Sequence, residues 1–146
     1  MTDTIKVGIN GACGRMGQRI VALAHADPEL EVFAALEASA SPHLGEDIGE
    51  VCGLGRIGVA VTDTLDPHPD VMIDFSVPEG LMAILPQCAE RQIPMVIATT
   101  GLTDEQKDEI RSAAQTTPVV WAPSMSLAVN LLMKLVREAS HVLQQV

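Results

Sequence analysis

Aromatic side chains are nearly missing: one Trp, two Phe and no Tyr in 146 residues. The core must therefore be aliphatic, and a 47% hydrophobic share without aromatics suits buried parallel strands covered by helices. Basic residues are scarce too, nine against nineteen acidic, for a formal charge of -10. No basic stripe is left for a phosphate backbone, which excludes nucleic acid as a partner. Cys13, Cys52 and Cys88 are too widely spaced for a CxxC metal pattern and odd in number for a disulfide set. Reduced thiols and no bound metal are the expectation. No apolar run approaches the roughly 18 residues of a membrane span, and Met1 to Thr4 lack the basic and apolar regions of a leader. These absences predict a soluble, cytoplasmic chain with no membrane partner.

What is present is an alternation of strand and helix signals. Ile5 to Asn10 reads as a strand, Gly14 to Ala26 as a helix with Met16, Ile20, Leu23 and Ala24 on its apolar face, and Leu30 to Leu36 as a second strand. Glu37 to Ile57 is polar and glycine-rich and reads as loop, followed by a short strand at Gly58 to Val61. Further strands are predicted at Val71 to Phe75, Met95 to Ala98 and Pro118 to Trp121. Helices run from about Pro78 to Arg91, with Ser76 as a candidate cap, and from Asp104 to Ala114 behind a Thr103-x-x-Gln106 capping box. The stretch from Met125 to Val146 reads as one amphipathic helix. Strands alternating with helices give an α/β fold with a doubly wound, all-parallel sheet, one domain over residues 1–146. The apolar stripe of the last helix needs cover from the sheet, a further domain or a second subunit in a homo-oligomer, and the sequence does not choose.

An acidic protein that binds an anion must offer it local N–H donors. Gly11-Ala12-Cys13-Gly14-Arg15-Met16-Gly17 joins the first strand to the first helix with glycine at every third position. Gly11 suits the tight turn, Gly14 lets backbone amides approach a pyrophosphate, and Gly17 lets the helix pack closely. Any tight strand-to-helix turn can look like this, so the weight comes from Glu37. It ends the second strand about 20 residues on, where a carboxylate can accept the ribose hydroxyls of an adenosine. No Lys or Arg follows it in Ala38-Ser39-Ala40. A free 2′-hydroxyl is therefore favoured and NAD(H) preferred, while Arg15 beside the turn keeps NADP(H) open.

Ligands of such sheets bind beyond the carboxyl ends of the strands. Asp74 to Glu79, Ala98 to Leu102 and Ala122 to Ser126 stand there, with Ser76, Thr99, Thr100, Ser124 and Ser126 offering small hydroxyls to a ribose, a carboxamide or a carboxylate. Capping of the following helix is the competing use for Ser76 and Ser124. His25, His43, His68 and His141 fall away from the strand ends, and Cys13 has no base beside it to make a reactive thiolate.

The glycine turn, Ala35-Leu36-Glu37, Ile73 to Glu79, Ala98 to Leu102 and Ser126 to Leu132, in that order, resemble the dihydrodipicolinate reductases over nearly the whole chain. The resemblance implies a Rossmann-like fold and an NADH- or NADPH-dependent reduction of 4-hydroxy-tetrahydrodipicolinate in lysine and diaminopimelate biosynthesis. It implies that Gly11, Ala12, Cys13, Gly14, Arg15 and Met16 cradle the pyrophosphate, that Glu37 holds the adenine ribose, and that Ala98, Thr99, Thr100, Ala122, Pro123, Ser124 and Met125 line the nicotinamide. The family usually has glycine where Ala98 stands, asparagine and glycine at Ser124 and Ala128, and in NADPH users often a basic residue at Ala38. Its second domain, with a histidine-rich motif, a catalytic lysine and a carboxylate clamp, matches nothing here. The chain is expected to supply the cofactor-binding part, to hold no catalytic residue of its own, and to meet a small dicarboxylate substrate only with the missing domain. Its last helix, from residue 123, would lead into that domain. The rival readings are a non-catalytic nucleotide-binding or assembly module that lost the catalytic half, and a different two-domain dehydrogenase.

Overall fold

Strand β1, Ile5–Asn10, lies at the centre of a sheet because both of its faces are covered: Val7 and Ile9 are buried on one side, and Asn10 turns to the other. The computed structural model describes residues 4–144; expectations for Met1, Thr2 and Asp3, and for the helix end at Gln145 and Val146, lie outside the described residues. After β1 come α1 (Arg15–Ala26), β2 (Leu30–Leu36), α2 (Ile48–Val51), β3 (Val61–Thr62) and β4 (Val71–Asp74). Then follow α3 (Pro78–Glu90), β5 (Met95–Ile97), α4 (Asp104–Ala113), β6 (Val119–Trp121) and α5 (Leu127–Leu143).

The sheet has the order β3-β2-β1-β4-β5-β6 with every pairing parallel. The chain winds outward from β1 to β3, then returns to start β4 on the other side of β1. The order reverses between β1 and β4, the point where doubly wound Rossmann sheets open a crevice.

Two cores cover the sheet. On the α1 face, Val7, Ile9, Val32, Ala35 and Val61 pack with Val21 and Ala24 of α1 and Ile48 of α2. On the opposite face, Met72, Met95 and Ile97 meet Leu81, Ile84, Leu85 and Cys88 of α3 and Ile110 of α4. Fully burying one such aliphatic side chain contributes about 1.5–3 kcal/mol.

The structure corrects several expectations. The buried face of α1 is Gly17, Val21 and Ala24, while Met16 and Leu23 are exposed. A contact through glycine rotates the helix by one position, which hydrophobic periodicity does not register. The third strand forms at Val61–Thr62 rather than Gly58 to Val61. The preceding loop contains one turn of helix, α2, held by the buried carboxylate of Asp47, which accepts from the amides of Gly49 at 2.9 Å, Ile57 at 3.0 Å and Gly58 at 2.6 Å. The cap of α3 is Val77, without a side-chain bond, so Ser76 is not a helix cap. The Thr103–Gln106 capping box of α4 forms as its residues require. No residue of α5 is buried: Leu131, Leu135 and Val136 are all more than half exposed, so the sheet does not cover its stripe. Among the described residues no helix is long and apolar enough to cross a membrane.

Candidate functional site

The turn after β1 is made by Gly11, whose φ of +77° is one that L side chains rarely adopt. A Cβ there would also lie 2.9 Å from the carbonyl oxygen of Phe75. Gly17 has still less room, since a Cβ would sit 2.1 Å from the carbonyl oxygen of Gly11. Helix α1 can press on the turn only because nothing projects there.

The turn uses up most of its own amides. Gly11 and Ala12 both donate to the Leu36 carbonyl at 3.0 Å, Gly14 donates to Gly11 at 3.1 Å, and Cys13 donates to Glu37 Oε2 at 3.1 Å. Among the described residues the amides of Arg15, Met16 and Gly17, in the first turn of α1, have no hydrogen-bond acceptor, and of these three residues Arg15 and Met16 are exposed, behind a Gly14 cap that makes no side-chain bond. The helix dipole adds partial positive charge at the same place.

Glu37 stands half-buried beyond β2 with its carboxylate fixed beside the turn, Oε2 on Cys13 and Oε1 on the amide of Ala38 at 3.1 Å. Each oxygen retains a lone pair for a hydroxyl. The thiol of Cys13 is pushed up to about 11, by burial first and by the Glu37 charge second. It is a packing group and not a nucleophile at neutral pH.

Two clefts flank the turn. The first, about 470 Å³, is lined by Asn10, Gly11, Gly14, Glu37, Ser76 and Glu79 among others, with Asp63 and Val77 also in its lining. The second, about 460 Å³, is lined by Met16, Phe75, Ala98, Pro123, Ser124, Met125 and Ser126. Phe75 lines both clefts.

The site residues expected from sequence thus divide. Gly11, Gly14, Glu37 and Ser76 face the first cleft, and Met16, Ala98, Pro123, Ser124 and Met125 the second. Ala12 is fully buried under the turn, Cys13 is half-buried and Arg15 is exposed at its rim. Thr99, Thr100 and Ala122 line neither cleft. Thr99 is buried, with its hydroxyl turned inward to Asp74, while Thr100 points to solvent. Ser126, not Ser124, caps α5, accepting from the amide of Val129 at 3.3 Å.

Sequence reasoning missed Asn10 and gave Asp74 no role. Both are buried and bonded to each other, Asn10 Nδ2 to Asp74 Oδ1 at 2.7 Å. The signal was present: each is a polar residue that ends its strand directly after an apolar one, Ile9 before Asn10 and Ile73 before Asp74.

A family described as "Dihydrodipicolinate reductase, N-terminus" matches residues 5–125. A 4-hydroxy-tetrahydrodipicolinate reductase of Rhodopirellula baltica is 43% identical over 99% of this chain and 54% of its own length. One from Rubrobacter xylanophilus is 40% identical over 95% of this chain and 52% of its own. Among solved structures, a dipicolinate-bound dihydrodipicolinate reductase from Paenisporosarcina sp. TG-14 superposes with a TM-score of 0.71 at 26% identity, covering 90% of this chain and 52% of that one. An aspartate semialdehyde dehydrogenase with NADP from Candida albicans shares the fold alone, with a TM-score of 0.56 at 15% identity over 82% of this chain and 42% of that one. The chain spans about half the length of the curated relatives it matches.

Proposed function

The chain belongs to the family of dihydrodipicolinate reductase N-terminal domains, and from that premise we propose that residues 1–146 are the dinucleotide-holding part of a 4-hydroxy-tetrahydrodipicolinate reductase. The observation that carries this reading is the pairing of two clefts across one amide-bearing turn at the sheet's reversal point. A dinucleotide has that shape, two nucleoside halves joined by a pyrophosphate.

The residues present fit such a group. The amides of Arg15 and Met16 face the pyrophosphate position, and Gly14 adds no Cβ in front of them. Glu37, tethered by two backbone amides, accepts the adenine-side ribose hydroxyls in the first cleft. The second cleft, with Met16, Ala98, Pro123, Ser124 and Met125, takes the nicotinamide. When bound there, the nicotinamide carries hydride to or from a substrate. The chain's own part is placement. No residue here is assigned a catalytic role, and the reduction of a small dicarboxylate calls on groups beyond this chain.

We assign NAD(H) as the preferred cofactor and NADP(H) as the weaker one. The first cleft holds three carboxylates, Glu37, Asp63 and Glu79, and its lining contains no Lys or Arg. A 2′-phosphate would enter a negative site without a counter-ion. Arg15 stands at the turn and not in that lining. Calorimetric titration of the chain with NADH and NADPH tests both points. Tighter binding of NADH is expected, tighter NADPH overturns the preference, and heat from neither overturns the function.

A further inference from the structure

Asp74 ends β4 with 0% of its surface exposed. Burying a carboxylate is costly unless hydrogen bonds replace its water. Among the described residues no ion pair reaches it. Three neutral side chains satisfy it instead: Asn10 Nδ2 donates to Oδ1 at 2.7 Å, Ser76 Oγ donates to Oδ1 at 2.6 Å, and the Thr99 hydroxyl donates to Oδ2.

Each donor belongs to a different segment. Asn10 ends β1 beside the glycine turn, Ser76 lies in the β4–α3 connection, and Thr99 in the β5–α4 connection. Strand register brings them together, with Asn10 opposite Asp74 and Asp74 opposite Ile97. Secondary contacts tighten the knot: Asn10 Nδ2 lies 3.1 Å from Ser76 Oγ and 3.2 Å from the Gly80 carbonyl, and Thr99 Oγ1 lies 3.1 Å from the Ser76 carbonyl. Phe75, the wall shared by both clefts, stands between two members of this network.

We propose that Asp74 is a positioning residue that locks the two clefts at one separation, so that a single ligand can span both. This rests on the reading that the clefts hold a nicotinamide dinucleotide. A spanning ligand gains from the second cleft only if that cleft is held where the first half delivers it. A ligand confined to one cleft is indifferent to the separation. Loosening the lock therefore weakens the whole dinucleotide and spares its halves, whereas partial unfolding would lower the bound fraction for both alike.

The test is calorimetry of the 146-residue chain with NADH and with AMP, on the unaltered protein and on Asp74→Asn, Thr99→Val and Thr99→Ser. Asp74→Asn keeps a carbonyl oxygen for Asn10 and Ser76 but turns an NH2 toward the Thr99 hydroxyl, and is expected to weaken NADH by roughly ten-fold, with AMP held within about two-fold. Thr99→Val should shift NADH the same way, and Thr99→Ser, which keeps the hydroxyl, should restore it. If Asp74→Asn does not fold, the Thr99 pair decides alone. Equal weakening of NADH and AMP, unchanged NADH binding, or a serine no better than valine overturns the proposal. An unaltered chain that binds neither ligand overturns the functional reading and this inference with it; binding by that chain with indifferent variants overturns the inference only.

Discussion

Gly17 shows how a single hydrogen atom decides a packing. Its missing side chain lets the first turn of α1 rest on the Gly11 carbonyl, where a Cβ would be only 2.1 Å away from backbone that cannot yield. Gly17→Ala is expected to cost about 1–3 kcal/mol of stability, as overpacking does, and to weaken NADH binding by displacing the turn. Thermal unfolding and titration of the same sample check this; an unchanged melting temperature would mean the turn can relax. Cys13 sits in the same turn with its thiol raised to about 11 from an ordinary 9.0. At pH 8 its thiolate fraction should be about 100-fold below that of a free cysteine, because two pH units separate the two values. Site-resolved alkylation across pH should show labelling of Cys13 rising toward pH 11, and a midpoint below 9 would contradict the burial described. The cysteine fills space beside the turn, and its chemistry is held off by burial and by the Glu37 charge.

Among the elements, α5 and β1 stand at opposite ends of one scale. Leu131 and Leu135 are 55% and 57% exposed, whereas Ile9 is 0% exposed. Surface side chains with no buried contact change stability by less than about 0.5 kcal/mol, while truncating a core Ile costs about 2–5 kcal/mol. The double variant Leu131→Lys, Leu135→Lys is therefore expected to melt with the unaltered chain, and Ile9→Ala well below it. Denaturant unfolding compares them, and a destabilised lysine variant would show that α5 packs on the domain in solution. Most elements were legible beforehand because strand and helix periods differ and because Thr103–Gln106 and Pro78 mark their helix starts locally. The single turn of α2 was not legible. Its cap, Asp47, draws on Ile57 and Gly58, about ten residues further on, a contact that no local window contains.

For the whole molecule, a net charge of -10 faces an anionic ligand. Raising ionic strength from about 0.01 M to 0.15 M shortens the screening length from roughly 30 Å to 8 Å, so NADH should associate faster as salt is added. Stopped-flow measurement of the association rate tests this, and a rate that falls with salt would show that Arg15 and the α1 dipole outweigh the global charge. The amino-acid order alone determined the alternation of strands and helices, the glycine turn and the carboxylate beyond the second strand. These are written in residues adjacent or one helix apart, where sterics and periodicity act directly. Only the folded arrangement decided which face α1 buries, that the hydroxyls of Ser76 and Thr99 turn to Asp74, that Arg15 and Met16 of the first helical turn stay exposed, and that Asn10 and Asp74 meet. Those outcomes depend on strands 64 residues apart lying side by side, and a hydrogen bond is settled by which partner arrives within 3 Å, which is a property of the tertiary structure.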